Sequence, residues 1–145
     1  MNRAPAITRQ QALARVLRGV ADDVAAYCAL LLLLEQQFEA ALRHHGARLG
    51  ELAEQITQAV EPIEARRRQR VSLVAALLGP EGKMRDIAAL LKGSARVQLE
   101  QNWLGLEQMV AECKRRNVRN SELLTMQYSI MQRVLHGEEQ IYAPA

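Results

Sequence analysis

Aromatic side chains are scarce in this 145-residue chain, with one Trp, three Tyr and one Phe. That scarcity argues against sheets and sandwiches, whose strands are enriched in aromatic and β-branched residues. Eight glycines and four prolines are too few for a linker-rich or disordered protein, so they act as local punctuation. Two cysteines, Cys28 and Cys113, exclude a disulfide framework. Both sit inside apolar helical patterns, as free buried thiols do in a reducing compartment, which points to the cytoplasm.

Several chemistries are missing as well. There is no phosphate-cradling glycine loop, no nucleophile elbow, and no HExxH or CxxC spacing, so the chain reads as a non-enzyme without a cofactor. His44 and His45 are adjacent, and adjacent residues on a helix point ~100° apart, while His136 is distant in sequence. No metal site is expected from them. The longest apolar run, Val24 to Leu34, is 11 residues, bounded by Asp22-Asp23 and Glu35. It is too short to span a bilayer, and although Arg3, Arg9, Arg15 and Arg18 precede it, no small-residue cleavage site follows. No membrane insertion is expected.

What is present is helix-forming. Hydrophobic residues make up 49% of the chain, and Ala, Leu, Glu, Gln and Arg dominate, which predicts an all-α fold. The net charge of +3 is mild and by itself makes no case for nucleic acid. The densest basic cluster, Arg66-Arg67-Arg68-Gln69-Arg70, distributes its guanidinium groups round a helix and has no interleaved aromatics to stack on bases. It reads as a solvated face.

Periodicity predicts three long helices and one short one. The first runs from about Ile7 to His44, with Leu13, Leu17, Val20, Val24, Tyr27, Leu31, Leu34, Phe38 and Leu42 in a 3/4 spacing. Leu30 to Leu34 are apolar nearly all round, which demands cover from more than one partner helix. Gly46 suits a left-handed cap. The second helix runs from about Ala47 to Leu78, and Pro62 is expected to kink it or divide it near Val60. Gly79-Pro80-Glu81-Gly82 is the strongest break, and a short helix follows from about Met84 to Leu91. The last helix is capped by Ser94, runs to about His136, and is closed by Gly137, leaving residues 138–145 as a flexible polar tail. Such lengths predict a single domain over residues 1–145, an elongated antiparallel, coiled-coil-like bundle of three to four helices.

The last helix carries the most information. Leu99, Trp103, Leu106, Val110, Cys113, Leu124, Tyr128, Met131 and Leu135 keep alternating steps of four and three, and Asn117 and Asn120 fill two positions of that register. Buried carboxamides cost free energy unless hydrogen-bonded, so this face serves more than packing. Its carboxamides, Met126, Tyr128 and Met131, together with its place beside the free terminus, suit an adaptable groove for a partner helix. The expected contact residues are Cys113, Asn117, Asn120, Leu124, Tyr128, Met131 and Leu135. Tyr142 lies beyond Gly137, where an aromatic ring has no core to join and suits an interface anchor instead.

At Asn117-Val118-Arg119-Asn120-Ser121-Glu122-Leu123-Leu124 the chain resembles the FlgN family of flagellar export chaperones, whose late helix carries N-x-x-N-G-x-L before a short tail with a tyrosine. Both asparagines and a leucine match, Ser121 replaces the glycine, and Tyr142 in Gln140-Ile141-Tyr142-Ala143-Pro144 stands in the place of the tail tyrosine. Leu30 to Glu35, Arg70-Val71 and Leu77-Leu78 agree more loosely with the first and second helices of the family. The resemblance implies a cytosolic chaperone. Its clients would be the carboxy-terminal helices of the hook-filament junction proteins, the flagellar hook-associated proteins, delivered to the type III export gate with Tyr142 engaging the gate's cytoplasmic domain. Two other readings use the same residues. A coiled-coil adaptor would pair the seam with itself as a homodimer, Asn117 and Asn120 setting the register; a nucleic-acid-binding bundle would use Arg66 to Arg70.

Overall fold

A computed structural model describes residues 7–142; residues 1–6 and 143–145, and the side chain of Tyr142, lie outside the description. The described residues form four helices and no strand: α1 (Arg9–Leu42), α2 (Gly46–Leu78), α3 (Met84–Ala89) and α4 (Gly93–Tyr142). This is the all-α bundle that the composition predicts.

Local chemistry sets the boundaries. Thr8 opens α1 with a capping box: its Oγ1 accepts from the Gln11 amide, and Gln11 Oε1 accepts from the Thr8 amide. The helix closes through His44, which takes φ +53 while its amide bonds to Ala41 O and the His45 amide to Ala40 O. That pairing is a Schellman arrangement. His44 therefore fills the left-handed position that the sequence assigns to Gly46, and Gly46 instead begins α2.

Pro62 neither divides α2 nor ends it. Its ring is exposed, where water can reach the Gln58 carbonyl that the missing N–H leaves free, while Leu52 and Ile63 are buried on a face about a quarter-turn round the helix. Packing on both sides of the proline outweighs the lost bond. At the far end α4 continues through Gly137 to Tyr142, so residues 138–142 are helical rather than part of a tail. Glycine in a helix costs only about 1 kcal/mol relative to alanine, too little to stop a long helix.

The helices run up, down and up, so α1 and α2 are antiparallel and α1 and α4 are parallel. Pairs such as Cys28 with Met109, Asn120 with Leu34 and Gln127 with Ala41 fix the α1/α4 register. α1 is central and packs along both α2 and α4, whose own backbones hardly approach each other. The two neighbours bury Leu30 and Leu34, but Leu32 stays 65% exposed, so the apolar surround at Leu30 to Leu34 is covered on two sides and not all round. Its buried line runs through Ala12, Val16, Val20, Leu30, Leu34 and Ala41, about one position away from much of the stripe that spacing alone suggests. Small residues occupy the closest approach, and the larger Leu13, Leu17 and Val24 flank it.

Two core clusters result. One joins Val16 and Val20 to Leu73, Val74, Ile87, Leu99 and Leu106; the other joins Leu30 and Leu34 to Ile63 and Cys113. Between them along α1 lies Asp23, 0% exposed, with Oδ1 2.5 Å from Arg66 Nε and Oδ2 2.8 Å from Arg70 Nη1. A buried carboxylate is tolerable only when paired and hydrogen-bonded, and two guanidinium groups from α2 supply both.

Candidate binding surface on the last helix

From Cys113 onward, α4 is held to α1 largely by polar side chains that reach main-chain carbonyls. Arg116 Nη1 donates to Leu31 O at 3.1 Å, Asn120 Nδ2 to Leu34 O at 2.8 Å, and Gln127 Nε2 to Ala41 O at 2.9 Å. Asn120, 1% exposed, also donates to Gln37 Oε1 at 2.8 Å and accepts from Arg119 Nε. Arg119 in turn lies 3.1 Å from Glu35 and stacks over Phe38, 3.7 Å from the ring centroid. The buried carboxamide is thus satisfied within the chain, as its burial requires.

α1 ends at Leu42, level with Gln127, but α4 runs on for 15 residues, or about 22 Å. Nothing among the described residues covers the apolar face of this overhang. Tyr128, Met131 and Leu135 are 64%, 60% and 51% exposed, and Ile130 and Val134 are exposed beside them. Where the overhang passes the α1–α2 turn it forms an open groove of ≈ 530 Å³, bounded by His44, Gly46 and Leu49 on one side and by Gln127 to Leu135 on the other.

The residues expected from sequence separate into three sets. Tyr128, Met131 and Leu135 line the groove, and half-buried Leu124 lies one turn before it. Cys113 and Asn120 belong to the α1/α4 interface, where burial raises the Cys113 thiol above its ordinary pKa. Asn117 is exposed, ~60° round the helix from Asn120, and so leaves the seam. Tyr142 is the last residue of α4, and its side chain is outside the description. Ile130, Val134 and Leu49 are groove residues that the seam's register passes over. Ile130 and Val134 could have been found as a second i, i+4 pair beside Met131 and Leu135.

The basic cluster on α2 is engaged with carboxylates. Arg66 and Arg70 turn in to Asp23, whereas Arg67 and Arg68 bond Glu64, whose pKa those hydrogen bonds lower to about 2. Among the described residues no three His, Cys, Asp or Glu side chains are grouped to hold a metal ion, and no helix is long and apolar enough to cross a membrane.

The sequence pattern of the FlgN family matches residues 11–137, which is most of the chain and includes the overhang up to Gly137. The chain belongs to the FlgN family. As a FlgN protein it is a flagellar export chaperone. No curated protein and no solved structure matches it.

Proposed function

We propose that this FlgN protein is a cytosolic chaperone of the type III flagellar export pathway. It holds the carboxy-terminal helices of hook-filament junction proteins on the overhanging half of α4, keeps them from polymerising, and delivers them to the export gate. The observation that carries this reading is the uncovered apolar face from Tyr128 to Leu135, which continues the face that α1 covers as far as Ala41. A client helix laid there, in line with α1, buries the same face that α1 buries farther back, a helix-in-groove mode with Tyr128, Met131 and Leu135 as anchors and Leu124 at its inner end.

Asn117, exposed on the half of α4 that packs on α1, lies outside this path. Asn120 and Cys113 act on it from behind, by holding α4 in register on α1. The open character of the site suits a client that must be released again, because affinity depends on a few desolvated anchors rather than on area. Tyr142 takes the role of gate anchor, separate from client capture. The function involves holding and release, with no catalytic step.

Hydrogen exchange tests this directly. Free protein should exchange the amides of residues 128–140 rapidly, and adding the carboxy-terminal helices of a hook-filament junction protein should protect residues 124–135 while leaving the first half of α4 unchanged. The competing adaptor reading predicts protection of the same stretch by raising protein concentration alone, without a client.

A further inference from the structure

A second groove lies on the other side of the molecule, between α2 and α4. These two helices pack on α1 but stay apart from one another, and at one end the short α3 fills the gap by packing against both. Past α3 the gap stays open. A hollow of ≈ 280 Å³ begins at Pro80 and Met84, and a second of ≈ 460 Å³ continues to Val110 and Lys114; both share Arg67, Arg70 and Trp103 as walls. Along α2 the combined groove runs from Ile63 to Gly79, about 24 Å at 1.5 Å per residue.

Its chemistry is specific. The floor is apolar, with Tyr27, Ile63 and Leu106, while the rim carries Arg67, Arg70 and Lys114 against the single carboxylate of Glu107. Asp23 answers two guanidinium groups with one carboxylate, Lys114 forms no ion pair among the described residues, and Arg70 lies over Trp103 at 5.6 Å from the ring centroid. Positive charge therefore remains along an apolar trough that already seats one helix at its end.

We propose that the α2/α4 groove binds a short amphipathic helix of a partner protein, apolar on one face and acidic along its edges, seated in continuation of α3. The groove's length admits about four turns of helix. One carboxylate on the incoming helix meets Lys114 and another shares Arg67 with Glu64, while its apolar face lies along the trough beside Trp103 and Val110. Base stacking does not suit this trough, because Arg70 covers the one indole. This site is independent of the overhang and of the function proposed for it.

Trp103 is the only tryptophan, so its emission reports on the groove. The probe is a synthetic 16-residue helical peptide with leucines at i, i+3, i+4 and i+7 and glutamates flanking that stripe. The expected result is a saturable change in Trp103 emission, weakened at least tenfold when lysines replace the peptide's glutamates. Arg67→Glu with Lys114→Glu, both at exposed positions, should invert the preference, so that the lysine peptide binds and the glutamate peptide does not. Should the double variant lose helicity by circular dichroism, the two peptides compared on the wild-type chain still decide the matter. Met131→Glu on the overhang should leave the response unchanged, which separates this proposal from the client-binding one. An acidic peptide without saturable effect, equal binding of the two peptides, or equal displacement by a thymidine oligonucleotide would overturn the proposal.

Discussion

The side-chain amide of Asn120 donates to the main-chain carbonyl of Leu34 at 2.8 Å, which fixes the register of the longest helix on the central one. That bond lies in the interface just before α4 leaves the bundle, so it sets how much of α4 projects beyond the α1–α2 turn. Removing it by Asn120→Ala leaves Gln37 without its donor and opens a small void. Destabilisation of about 1–3 kcal/mol is expected by chemical denaturation, whereas Asn117→Ala, at an exposed position, should stay within about 0.5 kcal/mol.

Asp23→Asn should be among the most damaging conservative changes in the chain. It leaves two guanidinium groups without their buried counter-charge, and breaking such a pair costs about 3–5 kcal/mol, reduced here because Arg66 and Arg70 retain some access to water. A fall in melting temperature of about 6 °C or more should follow.

Pro62→Ala should stabilise. The substitution restores an amide to a helix that is already continuous, at a solvent-facing position, so the recovered bond outweighs the lost rigidity of the unfolded chain. A gain of about 1–2 kcal/mol in thermal or urea unfolding is the expected outcome.

The Glu64 pair gives a pH signature. Hydrogen bonds from Arg67, then its charge and those of Arg68, hold Glu64 at a pKa of about 2, below its ordinary 4.5. A carboxyl lowered on folding contributes stability above its unfolded pKa and loses that contribution as pH falls through the folded value. The stability difference between wild type and Glu64→Gln should therefore shrink from pH 4.5 down to about 2, and the side-chain carboxyl should titrate near the lower value by NMR.

Thiol reactivity separates the two cysteines. The burial that the apolar pattern suggests for both holds only for Cys113, whose pKa desolvation raises, whereas Cys28 is exposed. A thiol reagent at pH 8 should modify Cys28 first and Cys113 only on the timescale of opening of the bundle. Equal rates would place Cys113 outside the core.

Much of this architecture was legible from periodicity because apolar spacing reports burial directly. Leu99, Leu106 and Cys113 are buried where the 3/4 steps place them, and the breaks at His44 to Gly46 and at Gly79 to Gly82 separate the helices as expected. Spacing does not reveal which residue of a wide apolar face meets a neighbour. The true contact line of α1 passes through Ala12, Val16 and Ala41, because small residues permit close approach on two sides at once. Nor does spacing show where a partner stops. Tyr128, Met131 and Leu135 continue the core register but are exposed, because α1 ends at Leu42. Asp23 and the arginines of α2 were separately visible as charges, but only the fold joins them across more than 40 residues of sequence.

Tyr142→Ala should separate gate docking from client capture. Melting temperature and client affinity should stay within error of wild type, while binding to the export gate's cytoplasmic domain and secretion of the client fall. Loss of client affinity would assign Tyr142 to the client site instead.

The central claim is that the uncovered face of α4 is the client site, and calorimetric affinity for the carboxy-terminal helices of a hook-filament junction protein tests it most directly. Met131→Glu places a charge in the middle of that face at a position already 60% exposed, so the bundle should keep its helicity and melting temperature. Affinity should fall at least tenfold, about 1.4 kcal/mol or more. Unchanged affinity in a correctly folded Met131→Glu protein would contradict the account.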